Sequence, residues 1–145
     1  MTTQATAQAA AHDLVIRGGL VVDGTGAPGR RADVAVRDGK LSEIAAVTGR
    51  AKREISAAGL VVAPRLRDRG RLPPGLATDI TVFDPDTIAD HEPELVHDLP
   101  GGGPRLVQRA SGIRWSFVNG HAVIEDGRLP EPAGTRGPGR LLRAS

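Results

Sequence analysis

Glycine and proline break this chain so often that little room is left for a long helix. The 145 residues include 19 Gly and 11 Pro, and the runs between these breakers are short and rich in Val and Ile. Gly supplies the positive φ angles of tight turns, and Pro removes a backbone donor. Short β-branched runs bounded by such residues read as strands, and no amphipathic helix of three or more turns stands out. The expected fold class is all-β.

A chain of this length is one ordinary domain, able to bury roughly two-thirds of the surface its unfolded form exposes. Its three aromatics, Phe83, Trp115 and Phe117, leave the core to be built mainly from Val, Ile, Leu and Ala. The formal charge is only +2, with 19 basic residues interleaved among 17 acids. Such mixing, with few aromatics for base stacking, argues against a nucleic-acid partner. There is no Cys, which excludes disulfides and thiolate metal sites and suits a reducing compartment. Residues 1–12 carry neither a basic start nor a long apolar run and read as a disordered tail. No stretch approaches the ~20 apolar residues of a membrane span. The expected location is the cytoplasm, without membrane attachment.

Turn signals set the expected hairpins. Gly18-Gly19 reads as a two-residue turn that pairs Ile16 with Val21. Asp38-Gly39 reads as a second turn, with a bulge at Gly39 that brings Val34 opposite Ile44. Short strands are expected at Arg53–Ser56, Leu60–Ala63 and Asp79–Phe83. Residues 86–104 read as a long loop with at most one helical turn, and Arg105–Ala110 as a short helix or strand. Asn119-Gly120 is the strongest hairpin signal, placing Phe117 across from Ala122, Trp115 across from Ile124 and Arg114 across from Glu125.

Motif chemistry supports no active site. Gly24, Gly26 and Gly29 have the spacing of a dinucleotide loop, but strand-like sequence follows where a helix N-terminus is required. His91-Glu92 and His97-Asp98 invite a metal reading, yet the histidines are six apart with Pro93 between them, so one helical face cannot present both. His12 and His121 read as surface residues. Ser56, Ser111 and Ser116 lack the sharp glycine-flanked turn of a hydrolase nucleophile. No catalytic, cofactor-binding or metal-binding residue is assigned.

The residues that are informative as a set are DLVIRGGLVVDGTGAPGRRADVAVRDGKLSEIAAV, 13–47, with AAGLVVAP, 57–64. The first closely resembles the N-terminal opening of amidohydrolases of the N-acyl-D-amino-acid deacylase (D-aminoacylase) type. The second resembles the strand leading into that family's catalytic barrel. DRGRLPPGLATDITVFDPDTI, 68–88, resembles the return from the barrel, and 105–129 with 139–143 resemble the family's C-terminal end. The resemblance implies a composite β-sandwich, the amidohydrolase small domain, built from N- and C-terminal flanking segments with no TIM barrel. The implied layout is a tail at 1–12, one sandwich at 13–127 and an extended arm at 128–145. Within the sandwich, residues 13–64 and 75–127 form two halves joined by a connector at 65–74.

In the family, the strand matching Leu60–Pro64 is followed by a His-x-His pair that binds the catalytic zinc. Here Arg65-Leu66-Arg67-Asp68-Arg69 follows Pro64, and the barrel that carries the other ligands is missing. The resemblance therefore implies hydrolase ancestry on non-peptide C–N bonds. It also implies a chain that holds no cofactor and is inactive by itself. A connector of ten residues reaches up to ~33 Å, ample for joining neighbouring strand ends. A face left bare by the missing barrel is the expected surface for a homodimer or for a partner subunit such as an intact amidohydrolase chain.

Overall fold

The structure, a computed structural model, describes residues 11–64, 74–130 and 137–139. The expected tail, connector and arm therefore lie largely outside the described residues. Among the described residues there are twelve strands: β1 (His12–Val21), β2 (Arg30–Arg37), β3 (Lys40–Ala45), β4 (Ala51–Ser56), β5 (Val61–Pro64) and β6 (Ile80–Phe83), then β7 (Ala89–Asp90), β8 (Glu94–Leu99), β9 (Gly103–Val107), β10 (Ala110–Ser111), β11 (Ile113–Val118) and β12 (His121–Glu125). A 3-10 turn, Pro100–Gly102, joins β8 to β9. The all-β expectation holds.

Eight strands form one sheet in the order β12-β11-β6-β5-β1-β2-β3, with β4 also on β1. One apolar cluster takes Leu14, Ile16 and Val21 from β1, Val34 and Val36 from β2, and Leu41 from β3. It also takes Val62 from β5, Ile80 and Val82 from β6, and Phe117 from β11. Strands from both flanks of the sheet share this cluster, so the sheet folds over into two facing layers, a β-sandwich. Residues 75–78 lace the seam: Leu41 N donates to Leu76 O at 2.9 Å, Thr78 N to Gly39 O at 3.0 Å, and Gly120 N to Thr78 O at 2.9 Å. On the outer face of β1 and β2, Val15 and Ala35 are covered by Val47.

Gly18-Gly19 is not a hairpin turn. The chain runs straight through it as one strand of ten residues, and the register against β2 shifts between Ile16 and Gly19. The pair is a bulge: Gly18 has φ +67°, and a Cβ on Gly19 would lie 2.5 Å from Val62 Cγ2. The extra residue switches the buried positions from Leu14 and Ile16 before it to Val21 after it.

The other turns form where expected, with registers adjusted by bulges. At Asp38-Gly39 both φ angles are positive, and Val34 does face Ile44, but the extra residue is Ser42 rather than Gly39. At Asn119-Gly120, Phe117 faces Ala122 as expected. Val123 is then extra, so Trp115 faces Glu125 instead of Ile124. The expected strands around residues 53–56 and 60–63 form, and both run parallel to β1. The largest departure is at 86–104, expected as a loop, where β8 and β9 pair as a hairpin.

Candidate functional site

Two arginine-centred clusters of polar side chains on the sandwich hold strands and loops together. Arg17 forks onto Glu54, with Nε–Oε2 3.1 Å and Nη2–Oε1 3.0 Å, and reaches Asp33 at 3.1 Å. It also donates to the carbonyls of Val47 and Gly49. Asp33 in turn accepts the amides of Gly18 at 2.9 Å and Val47 at 3.1 Å, fixing the bulge and the covering loop together. Arg53 of β4 forks onto Glu125 of β12, both contacts 2.9 Å. Its guanidinium lies 5.0 Å from the centre of the Trp115 ring, which stacks on Phe117 at 6.3 Å. Arg114, expected to pair with Glu125, meets Asp126 instead.

Several ion-paired carboxyl groups are tuned away from proton donation. Burial at Asp33 favours the neutral form, but the Gly18 amide, the Arg17 guanidinium and the Val47 amide outweigh it and hold the group below the usual carboxylate range. Lys52 lowers Asp13, Arg17 lowers Glu54, Arg53 lowers Glu125 and Arg105 lowers Asp98. A general acid near neutrality needs the opposite shift. These are structural ion pairs and not acid–base couples.

The glycine-rich loop, residues 23–29, connects β1 to β2, with no helix behind it. Asp23 Oδ1 accepts both the Thr25 amide at 2.9 Å and its hydroxyl at 2.6 Å, a self-contained turn without a helix N-terminus to meet a pyrophosphate. All four histidines lie among the described residues. His12 Nδ1 contacts Ser42 Oγ at 3.2 Å, and His97 Nδ1 contacts Gly102 O at 3.2 Å. The His91 amide bonds Arg109 O at 2.9 Å, and His121 opens β12. Among the described residues no group of three His, Asp or Glu side chains could hold a metal ion, so these residues do not fit a zinc centre. Ser116 is buried in β11, Ser111 Oγ donates to Thr87 O at 3.1 Å, and Ser56 ends β4.

Sequence reasoning missed the β8–β9 hairpin. Leu95 lies directly opposite Leu106, and they are 60% and 71% exposed, with Leu99 at 44%. Ion pairs Arg105–Asp98 (2.6 Å) and Arg109–Glu94 (2.8 Å) brace it. The available signal was Pro-Gly-Gly-Gly-Pro between two short apolar runs.

Comparison with known proteins adds what the site does not. No family model matches the chain. Over 57 residues it is 46% identical to N-acyl-D-glutamate deacylase of Alcaligenes xylosoxydans xylosoxydans, covering 39% of this chain and 12% of that protein. This stretch is similar in sequence to a short segment of the D-aminoacylases. The D-aminoacylase of the same organism is 40% identical over 57 residues, again 39% of this chain and 12% of that one. Among solved structures, N-acyl-D-glutamate deacylase of Bordetella bronchiseptica, complexed with zinc and a phosphonate inhibitor, is 46% identical over 37% of this chain and 11% of that one, with a TM-score of 0.35. A D-aminoacylase crystal structure is 44% identical over the same shares, with a TM-score of 0.36. The chain thus spans about one-eighth of the length of the D-aminoacylase relatives it matches. No helix among the described residues is long and apolar enough to cross a membrane.

Proposed function

We propose that this chain is the small β-sandwich domain of a D-aminoacylase-type amidohydrolase from which the catalytic barrel is missing, and that it hydrolyses nothing by itself. The observation that carries this reading is the neighbourhood of β5 and β6. They are paired antiparallel, with Pro64 opposite Ile80. The resemblance puts the barrel between these two strands, and here 65–79 joins them. Excision at that point leaves the strand ends already adjacent, so a short connection closes the sandwich without disturbing its pairing.

In the relatives' family a metal ion lowers the pKa of a bound water and polarises the scissile carbonyl. Arg65 to Arg69 replace the His-x-His of the resemblance, and the four histidines are dispersed. The test is an amidase assay on a range of N-acyl-D-amino acids with added zinc. The folded chain should give no turnover beyond zinc alone, and clear turnover would overturn the reading. A cytoplasmic location belongs to the same proposal, supported by the lack of cysteine.

A second reading is an interaction module, and the exposed leucines of the β8–β9 hairpin favour it. β6 begins at Ile80, beside the splice, and ends at Phe83, from which the chain runs out to the hairpin. The most exposed leucine pair therefore stands beyond the other end of β6 from the barrel junction. An isolated two-stranded hairpin is marginal in water, so burial against a second copy or a partner subunit would stabilise it. Sedimentation should reveal concentration-dependent association that Leu106→Glu abolishes. A wild-type chain that stays monomeric and captures no partner would dismiss this reading.

A further inference from the structure

Asn119-Gly120 carries a chemistry that the turn itself does not use. A side-chain amide followed by glycine is open to attack by the glycine nitrogen, because no side chain hinders the approach. The attack forms a bond from Gly120 N to Asn119 Cγ and breaks the bond from Cγ to Nδ2. The Gly120 proton and the amide leave together as ammonia. Water then opens the cyclic imide, leaving aspartate or its β-linked isomer at position 119.

In this fold both reacting groups are held. Gly120 N donates to Thr78 O at 2.9 Å, and Asn119 Nδ2 donates to Pro138 O at 2.6 Å. The Asn119 backbone N–H donates to the buried Asp79 carboxylate at 2.8 Å. A Cβ at Gly120 would stand only 2.8 Å from Gly39 Cα, so the turn is packed against its neighbour hairpin with little room to rearrange. For Gly120 N to lose its proton and reach Cγ, the seam through Thr78 must open first.

We propose that Asn119 is a spontaneous modification site gated by opening of the turn, and that its conversion releases the Pro138 segment. The reaction rate is the rate in an open chain multiplied by the fraction of time the turn is open. The product has no side-chain donor. A carboxylate at 119 would face the Pro138 carbonyl, acceptor against acceptor, and would add negative charge close to Asp79. The β-linked isomer also lengthens the backbone inside a two-residue turn. Either product removes the donor that bonds the Pro138 carbonyl to the sandwich.

The test incubates the full chain in mildly alkaline buffer, folded and in urea, and follows by mass spectrometry the amide-to-acid change in the peptide containing residue 119. Conversion in the folded chain should be slower by at least about tenfold, the ratio set by local opening. Equal rates would overturn the gate. Asp79→Ala should speed conversion in chain that remains folded, whereas Asp79→Asn, which keeps an acceptor oxygen, should stay slow. Trypsin cleavage after Arg136 or Arg140 should accelerate in Asn119→Asp relative to wild type when circular dichroism shows both folded. Unchanged cleavage would overturn release of the segment. The folded-against-urea comparison needs no variant.

Discussion

Phe117→Ala is expected to lower the unfolding free energy by ~3–5 kcal/mol, the range for deleting a buried aromatic side chain. Phe117 heads the fully buried side chains by volume at 1% exposure. It comes from β11 and packs with residues of β1, β2, β3, β5 and β6 in one cluster. The chain has only three aromatics, so the core has few other large side chains with which to fill the void. Trp115 stacks on Phe117 but is only partly buried, and cannot drop inward without surrendering its contact with Arg53. Urea unfolding measures the effect, and with total stabilities of ~5–15 kcal/mol in domains generally, the variant should be close to unfolding. A cost of ~0.5 kcal/mol, typical of surface positions, would show that the core is not organised around this ring.

Gly39→Val should cost nearly as much for a different reason. Gly39 has φ +69°, and a Cβ there would lie 2.6 Å from the Asn119 backbone oxygen. The left-handed backbone costs a β-branched residue ~1–2 kcal/mol. Forcing apart two packed turns adds a further ~1–3 kcal/mol. The carbonyl of Gly39 also accepts the Thr78 amide at 3.0 Å, so displacing it strains the seam that closes the sandwich. Gly18→Val is the control. Gly18 has a similar φ of +67°, but a Cβ there has nothing within 4 Å, leaving the backbone cost alone. If urea unfolding gave equal losses for both, close approach of the 38–39 and 119–120 turns would not be a source of stability.

This contrast also shows which parts of the fold the sequence reveals. Asp38-Gly39 and Asn119-Gly120 announce turns through their own chemistry, since both central residues must take positive φ. That the two turns pack on each other is settled by residues 75–78, far from both in sequence. Gly18-Gly19 gives the same local signal yet forms a bulge. What decides it is non-local: Asp33 accepts the Gly18 amide, and Val62 fills the space a Gly19 side chain would need.

Registers slip for a similar reason. Val123 and Ile124 are both apolar, so alternation cannot say which is extra. The bulge at Val123 sends Glu125 to Arg53 and leaves Arg114 to Asp126. Residues 86–104 were illegible because β8 and β9 lack a buried face, and without burial there is no alternation of polar and apolar residues to read. Of the motifs, the glycine loop was legible as a structural turn, since strand β2 and not a helix follows it. The D-aminoacylase likeness rests on a run of residue identities rather than on any physical pattern.

The measurement that bears most directly on the proposal that this chain holds no metal centre is zinc binding by the folded chain. Equilibrium dialysis against dilute zinc, followed by metal analysis with circular dichroism on the same sample, should find less than one tightly held ion per chain and no added thermal stability. One zinc bound per molecule, raising the unfolding temperature and lost when histidines are replaced, would contradict the account.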